Sequence, residues 1–216
     1  MSYTNPTPEE VEDRRDQLAR FDIWNEKAFL ALFACILTIH DYPRSYLDIG
    51  SGTWAMVNMA RKVGMQAYGI DLINGPEHWF IKHNLEEKIQ LSYAGDDRMI
   101  PVLPGAYELD KYTVSQFDLV TCLEVAEHIH ERYSNNLVET ISRHVKPGGI
   151  MIFSSAPPGQ SGENHVNCQP AEYWRSKFFE SGLSYRKDYT MQLAHLWAWV
   201  AGPMMWLGSN IQVFDC

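Results

Sequence analysis

The chain has 216 residues, 45% of them hydrophobic, and a formal net charge of −9 at pH 7. This length suits a single α/β domain with a sizeable core. The acidic balance argues against a nucleic-acid groove as the main surface, because phosphate binding relies on clustered lysine and arginine side chains.

Hydrophobic periodicity predicts helices that alternate with strands along the chain. Two helices are expected between residues 9 and 40. The predicted strands are 46–49, 67–70, 89–93, 117–122 and 150–154, with a final antiparallel pair at 183–189 and 211–214. The predicted later helices are 55–63, 135–145 and 170–181, and a turn at 146–149 closes the second of them. This alternation predicts a doubly wound, Rossmann-like α/β fold whose sheet is mostly parallel and has helices on both faces.

The apolar segments and the cysteine spacing indicate the compartment of the protein. The most apolar segment, 28–39, is too short for a membrane span, and no stretch resembles a signal peptide. The four cysteines show no C-x-x-C spacing. We therefore expect reduced thiols in a cytoplasmic protein.

The segment 46–54, YLDIGSGTW, places two glycines and an acid where a buried strand ends. Gly50 and Gly52 open a tight turn before a helix, and glycine lets bare backbone and a helix N-terminus approach a ligand closely. Asp48 adds a carboxylate at the same edge. Because ligands of doubly wound sheets bind beyond the carboxyl ends of the strands, we expect a nucleotide-like ligand with a positive group here.

A dinucleotide site is the alternative interpretation of this turn. Gly50, Gly52 and Ala55 also satisfy the G-x-G-x-x-G/A fingerprint, and Asp71 follows at about the separation of a ribose-binding acid. Asp48 favours a different ligand, because its charge would repel a pyrophosphate but would suit an amino or sulfonium group. An NAD-type oxidoreductase is thus the first competing hypothesis.

Four motifs in order extend the pattern: LDIGSGT at 47–53, GIDL at 69–72, FDLVTCLEVAEHI at 117–129 and VKPGG at 145–149. Together they resemble the class I S-adenosylmethionine-dependent methyltransferases. The resemblance implies a seven-stranded sheet whose last strand is antiparallel. We expect a methyltransferase domain over 46–216 and an N-terminal helical segment, 1–45, that packs on the cofactor site, all within one structural domain.

The resemblance also assigns residues to the cofactor: Asp48, Gly50, Gly52, Asp71, Asp96, Asp97 and Glu124. Asp48 and the two glycines would hold the methionine part of S-adenosylmethionine. Asp71 would accept hydrogen bonds from both ribose hydroxyls, and either Asp96 or Asp97 would meet the adenine amino group. Trp54 stands where the family commonly has a third glycine. This departure makes a non-catalytic, methyltransferase-like binding domain the second competing hypothesis.

Acids and histidines gather after the fourth and fifth predicted strands. Glu124, Glu127 and His128 follow the fourth strand, and His165 lies in the loop after the fifth. If the chain turns helical after the fourth strand, the i, i+3, i+4 spacing places the first three on one helix face. Two carboxylates and two imidazoles suit Mg²⁺, Mn²⁺ or Fe²⁺ more than a thiolate-type zinc site.

The pattern E-V-x-E-H with a later histidine is similar to that of metal-dependent O-methyltransferases, which include the small-RNA 3′-terminal 2′-O-methyltransferases and the ubiquinone-pathway O-methyltransferases. The resemblance implies that Mg²⁺ or Mn²⁺ grips the acceptor hydroxyls and lowers the pKa of the one to be methylated. Glu127, His128 and His165 are then the candidate catalytic residues. Two alternatives stay open: His165 acts as a metal-free general base, or the first glutamate only packs and His128 only caps a helix.

The polar loop and helix over 160–179 form the expected acceptor side. Asn167 and Gln169 supply hydrogen-bonding groups beside Tyr173 and Trp174, a mixture that suits a sugar-like acceptor. The alternative is a polar loop before a helix whose aromatic side chains belong to the core. We therefore predict methyl transfer from S-adenosylmethionine to a hydroxyl of a small molecule or glycan, without a nucleic-acid partner.

Overall fold

The computed structural model describes residues 22–39, 42–52, 55–70, 116–162, 165–200 and 205–216. The helices of this part are α1 (Asp22–Ile39), α2 (Ala55–Lys62), α3 (Ser134–His144), α4 (Ala171–Glu180), α5 (Lys187–Val200) and α6 (Met205–Asn210). Its strands are β1 (Ser45–Ile49), β2 (Gln66–Ile70), β3 (Phe117–Leu123), β4 (Val145–Ser154), β5 (Ser184–Tyr185) and β6 (Gln212–Asp215). The strand predicted over 89–93 and the first predicted helix lie outside the described residues.

The six described strands form one sheet in the order β2-β1-β3-β4-β6-β5. β1 pairs in parallel with β2 and β3, and β3 pairs in parallel with β4. β6 is antiparallel to both β4 and β5. The prediction of a doubly wound, mostly parallel sheet that ends in an antiparallel pair is confirmed, but only Ser184–Tyr185 of the predicted strand 183–189 is strand, and α5, which was not predicted, begins at Lys187. Because β1, β3 and β4 are parallel neighbours, their carboxyl ends meet at one edge of the sheet.

Apolar side chains cover both faces of the sheet. Along β1, Tyr46 belongs to one buried cluster, whereas Leu47 and Ile49 belong to another, as the period-two alternation of a strand requires. The first cluster includes α1, whose Phe29 ring centroid lies 5.4 Å from that of Tyr46. The second includes Trp174 of α4. The helices therefore lie on both faces, as predicted.

Asp118 ties three strands together at the amino edge of the sheet. Its carboxylate accepts hydrogen bonds from the backbone N–H groups of Arg44 and Ser45, each at 3.0 Å. Lys146 Nζ, on β4, lies 2.8 Å from the other carboxylate oxygen. Burial alone would raise the pKa of Asp118, but these donors outweigh it and lower the pKa to about 2. The carboxylate thus helps to hold β1, β3 and β4 in register.

The turn predicted over 146–149 is wrong, because these residues belong to β4, which begins directly after α3. The pairing of β3 with β4 shifts register next to Phe117, and a Cβ at Gly149 would lie 2.9 Å from the Phe117 carbonyl oxygen. On the other side, the N–H of Gly148 donates to the carbonyl of Cys216 at 3.1 Å. Backbone pairing on both sides draws this turn-like sequence into the sheet as an irregularity of the strand.

Three observations bear on the remaining general predictions. Among the helices that the structure describes, none is both long and apolar enough to cross a bilayer. Cys122, Cys168 and Cys216 are free thiols. α1 shares its buried cluster with α2 and β1. The cytoplasmic location and a domain boundary after residue 45 stay predictions.

Candidate active site

At the carboxyl edge of the sheet, Asp48 is held by a chain of buried hydroxyl groups. Asp48 and Thr121 are register partners on β1 and β3, and the Thr121 hydroxyl donates to Asp48 Oδ1 at 2.6 Å. Since that hydroxyl has one hydrogen, the Tyr46 hydroxyl 2.7 Å away donates to it in turn. Burial, and then the charge of Asp48, raise the pKa of Tyr46 well above its usual value, so the phenol stays protonated. The result is a buried, oriented carboxylate at the end of β1.

The turn after β1 needs its glycines. Gly50 and Gly52 have φ angles of 80° and 53°, in the left-handed region that side chains disfavour. A Cβ at Gly50 would also lie 2.1 Å from Cγ2 of Val125, in the segment after β3. The hydroxyl of Ser51 is buried and has no hydrogen-bond partner among the described residues. A buried hydroxyl without a partner at a glycine turn is a group that a bound ligand would satisfy.

The chain does not turn α-helical directly after β3, which is the condition under which Glu124, Glu127 and His128 would share a helix face. Glu124 has a φ of 54°, and its amide donates to Ser154 Oγ at 3.0 Å. A 3-10 turn over Ala126–His128 follows in place of an α-helix. Glu124 therefore does not share a helix face with Glu127 and His128. A positive φ in a residue other than glycine is uncommon, and such conformations cluster at functional sites.

Glu127, His128 and His165 nevertheless come together at the carboxyl edge. One potential ligand atom of each lies within 4.8 Å of those of the other two. The two imidazole rings have centroids 5.0 Å apart and are inclined at 79°. Glu127 is fully buried, and no donor in the described part of the chain makes a hydrogen bond of good geometry to its carboxylate oxygens, although the amides of Glu127 and Ala156 and the Glu124 carboxyl group lie nearby. A buried carboxylate beside a second carboxylate and two imidazoles is favourable only with a proton or a cation.

The carboxyl group of Glu127 has a high proton affinity. Burial, followed by repulsion from the Glu124 carboxylate, raises its pKa to about 8. Glu124 is not one of the three residues that meet, but it faces Glu127 and accepts a hydrogen bond from Asn210 Nδ2 at 3.3 Å. Glu127 therefore keeps its proton at neutral pH unless a cation takes the place of that proton.

The loop that carries His165 is attached to the turn that carries Glu127. Two successive amides of this loop donate to the Glu127 carbonyl oxygen, at 2.8 and 3.0 Å. The second is the amide of Asn167, whose buried side chain also donates to Ser134 Oγ at 3.1 Å. A Cβ at Gly162 would lie 2.1 Å from the His165 ring, so a residue without a side chain is needed beside the imidazole. Asn167 thus helps to position the loop that carries His165. We had instead expected its side chain to contact the methyl acceptor.

The aromatic residues predicted for the acceptor side divide between core and surface. Trp174 is 1% exposed, and its ring centroid lies 5.2 Å from that of Phe153. Tyr173 is half-buried and lies beside Lys177, whose Nζ is 4.8 Å from its ring centroid. The face of Trp174 is therefore core, as in the alternative interpretation, and does not form a platform for a sugar ring.

Part of the predicted site lies outside the described residues, namely Asp71, Asp96, Asp97 and Trp54. Sequence reasoning missed Thr121, Val125 and Asn210. A hydroxyl within an apolar strand was an available signal for Thr121. No local pattern connects Asn210 with Glu124, which is 86 positions away.

Comparison with known families assigns this architecture. A family profile described as a methyltransferase domain matches residues 21–199, which is most of the chain. The chain belongs to this methyltransferase family. The prediction of a class I S-adenosylmethionine-dependent methyltransferase is confirmed at the level of family and fold. The match removes the support for an NAD-type oxidoreductase.

Relatives of the methyltransferase include a ubiquinone biosynthesis O-methyltransferase of Bordetella avium. It is 32% identical over 112 residues, which are 52% of this chain and 42% of the relative. The relative of that name from Pseudomonas putida strain F1 is also 32% identical over 112 residues, 52% of this chain and 44% of its own length. The methyltransferase therefore spans less than half the length of these curated relatives.

Two solved structures share the fold of the methyltransferase. The sugar N-methyltransferase KedS8 from Streptoalloteichus superposes with a TM-score of 0.60 at 13% identity, covering 100% of this chain and 94% of that one. A TehB-like SAM-dependent methyltransferase from Corynebacterium glutamicum gives 0.55 at 15% identity, covering 97% and 99%. At these identities the likeness shows the fold alone.

Proposed function

We propose that this methyltransferase transfers the methyl group of S-adenosylmethionine to a hydroxyl group of a small molecule or sugar, with a divalent cation beside the acceptor. The observation that carries the proposal is the meeting of Glu127, His128 and His165 at the carboxyl edge, next to the glycine turn. Family membership supports methyl transfer. The names of the curated O-methyltransferase relatives support oxygen as the atom that is methylated.

The cofactor is proposed to bind at the turn after β1. Asp48 is a buried, hydrogen-bonded carboxylate, and Gly50 and Gly52 leave the adjacent backbone bare. A carboxylate beside bare backbone suits the amino group of the methionine part and opposes no phosphate, because this cofactor has none. The further cofactor residues that we propose from the family resemblance are Asp71, either Asp96 or Asp97, and Glu124.

The residues at the cluster fit a divalent cation. Glu127 offers buried oxygens to which no described group makes a hydrogen bond of good geometry, and His128 and His165 offer two imidazoles. Imidazole suits Mn²⁺ or Fe²⁺ better than Mg²⁺, which prefers oxygen ligands. Of the predicted Mg²⁺ and Mn²⁺ we therefore propose Mn²⁺, with Glu124 adding negative charge nearby. A bound Mn²⁺ would lower the pKa of the acceptor hydroxyl.

The residues of the chain align the reactants and handle the proton. The contact between Gly50 and Val125 brings the cofactor turn against the segment that carries Glu127. An acceptor bound at the Glu127 cluster would therefore lie next to the cofactor and would face its methyl group for in-line attack. The new bond joins the acceptor oxygen to the methyl carbon. The sulfur–methyl bond breaks, its electron pair stays on sulfur, and S-adenosylhomocysteine leaves. The hydroxyl proton would pass to solvent if the cation is bound, because His165 would then be a ligand, and to His165 if no cation is bound.

Mn²⁺ binding to the purified protein tests the metal part of the proposal. His165→Ala is compared with His130→Ala, which removes an exposed imidazole near the same segment but outside the cluster. Paramagnetic resonance of free Mn²⁺ should show that His165→Ala weakens binding at least about tenfold. His130→Ala should bind like the wild type. Equal binding by all three proteins would refute the cation site.

Calorimetric titration with S-adenosylhomocysteine tests the cofactor part. We expect binding in about the micromolar range, lost in Asp71→Ala. Radiolabelled methyl transfer to a panel of catechols and sugars, with and without EDTA, then tests the reaction. Cofactor binding without turnover on any acceptor would favour the non-catalytic domain. Turnover that EDTA leaves unchanged would instead favour His165 as the base.

A further inference from the structure

A cavity of about 90 Å³ lies between the end of β4, the start of α4 and residues 209–212. Ser209, one of its lining residues, is exposed, so the cavity is accessible from the surface. A water molecule occupies roughly 30 Å³ in the liquid, whereas pockets for whole small molecules measure roughly 300–1,000 Å³. The cavity therefore suits one functional group of a larger molecule.

Two residues that line the cavity carry buried polar groups without partners among the described residues. Trp174 is 1% exposed and its Nε1–H is unsatisfied. Ser155, directly after β4, is 6% exposed and its Oγ is unsatisfied. Both residues line the cavity. Because an indole N–H can only donate, a group that satisfies it must accept hydrogen bonds.

The N-terminus of α4 meets the same cavity. Ala171, the first residue of this ten-residue helix, lines the cavity, and Pro170 at the N-cap supplies no side-chain hydrogen bond. The amide groups of a helix's first turn carry partial positive charge and favour anionic oxygen atoms. A hydrogen-bond acceptor with anionic oxygen atoms would therefore suit both the helix terminus and the Trp174 indole.

The charge of the lining has one sign. Among the described residues that line the cavity, Arg175 alone is charged and none is acidic. The chain as a whole has a net charge of −9. The Nε of Arg175 donates to Gln212 Oε1 at 2.9 Å, and its guanidinium carbon lies 3.9 Å from the Tyr185 ring centroid. Glu172 is 3.4 Å from the guanidinium but is exposed, so water screens its charge.

We propose that this cavity is an acceptor subsite that binds a carboxylate group of the molecule to be methylated. Its two oxygen atoms would accept hydrogen bonds from the Trp174 indole, the Ser155 hydroxyl and the first turn of α4. Asn210 lines the cavity and also donates to Glu124, beside the Glu127 cluster. The inference rests on the proposed function, because it assumes that the molecule is methylated at the Glu127 cluster. The substrate would then be a hydroxy acid whose hydroxyl group extends towards that cluster.

Nuclear magnetic resonance of the Trp174 indole in the full chain tests the subsite without an activity readout. The peak is assigned by its absence from Trp174→Phe. The probes are 3,4-dihydroxybenzoate and catechol, which differ by one carboxylate, and EDTA keeps cations out of the measurement. We expect 3,4-dihydroxybenzoate to move the peak with a dissociation constant of about 1 mM, and catechol to leave it in place.

Two serine variants test the contribution of the cavity wall. Ser155→Ala should weaken the binding of 3,4-dihydroxybenzoate about threefold or more. Ser176→Ala, which changes an exposed serine on the helix that carries Trp174, should not weaken it.

The outcomes separate the subsite from the proposed function. A Trp174 peak that stays in place up to about 10 mM 3,4-dihydroxybenzoate, in protein that binds S-adenosylhomocysteine, would overturn the subsite and leave the methyltransferase proposal standing. Equal shifts with both probes would overturn recognition of the carboxylate. A shift specific to the carboxylate in protein that binds neither S-adenosylhomocysteine nor Mn²⁺ would support the subsite and overturn the proposed function.

Discussion

Gly50 and Val125 are in contact across the carboxyl edge of the sheet, and a Cβ at Gly50 would lie 2.1 Å from Val125 Cγ2. Gly50 belongs to the turn proposed for the cofactor, and Val125 lies two positions before Glu127. The two motifs that carry the chemistry therefore pack directly against one another. A change at the glycine should be felt both in the fold and at the cofactor.

Gly50→Ala is predicted to lower both the free energy of unfolding and the affinity for S-adenosylhomocysteine. Gly64→Ala is the matched control, because Gly64 also has a positive φ, 92° against 80°, but nothing lies within 4 Å of its Cβ position. Left-handed strain costs roughly 1–2 kcal/mol in both variants, and overpacking against Val125 adds roughly 1–3 kcal/mol. Urea unfolding and calorimetry measure the two effects. Equal losses in both variants would mean that Val125 moves aside freely.

Glu127→Gln is predicted to stabilise the metal-free protein at alkaline pH. The pKa of Glu127 is raised in the folded protein from 4.5 to about 8, so its protonated form stabilises the fold below pH 4.5 and this contribution is lost as the pH rises through 8. The glutamine stays neutral throughout. In EDTA, the melting temperature of the variant relative to the wild type should therefore increase between about pH 5 and pH 9.

The exposed Glu131→Gln variant is the control for the loss of one charge and should show no such trend. Adding Mn²⁺ at alkaline pH should stabilise the wild type and not Glu127→Gln, because the cation replaces the proton only where a carboxylate can form. A melting-temperature difference that is constant with pH would contradict the high proton affinity of Glu127.

Gly162→Ala is predicted to lower Mn²⁺ affinity about tenfold with little change in stability. The new Cβ would lie 2.1 Å from the His165 ring, and a side-chain ring can turn aside, so the effect falls on its position. Gly159→Ala should show the opposite pattern. Its φ is 88° and nothing lies within 4 Å of its Cβ position, so stability should fall by roughly 1–2 kcal/mol while Mn²⁺ affinity holds. Unchanged Mn²⁺ affinity in Gly162→Ala would argue against His165 as a ligand.

Asp118→Asn is predicted to reduce the free energy of unfolding at neutral pH. It should also make that free energy vary less with pH in the acidic range. The folded-state pKa of about 2 lies below the usual 3.8, so the ionised carboxylate stabilises the fold above pH 3.8 and this contribution is lost as the pH falls through 2. The shift corresponds to at most about 2 kcal/mol, because Asp118 is partly solvated.

Asp188→Asn is the control for Asp118→Asn. The Arg186 hydrogen bond lowers the pKa of Asp188, but this carboxylate lies at the surface, with 63% of its side chain exposed. Its loss should change stability little. Urea midpoints measured from about pH 7 to about pH 2 compare the two variants. A similar loss in both would show that the bonds of Asp118 to β1 and β4 add nothing beyond a surface ion pair.

Local sequence information predicted much of the framework. β1 and the helix after it were predicted because apolar residues run up to Gly50 and Gly52, and these glycines mark the turn. The two histidines and the glutamate of the cluster were predicted as residue types, but the helix that would have aligned Glu127 and His128 with Glu124 does not form. Glu124 adopts a left-handed conformation because its amide pairs with Ser154 of the next strand, which lies 30 positions away.

The sequence by itself determined the family, the order of the described strands and helices from β1 to α4, and the acids, glycines and histidines that reach one edge of the sheet. These follow from short-range spacing, which sets backbone preference and the face that each side chain occupies. The tertiary structure alone decided that Glu127 is buried against Glu124, that Trp174 packs in the core and lines a cavity, and that Asn210 reaches Glu124. Those outcomes depend on contacts between distant segments, and such contacts leave no period in the sequence.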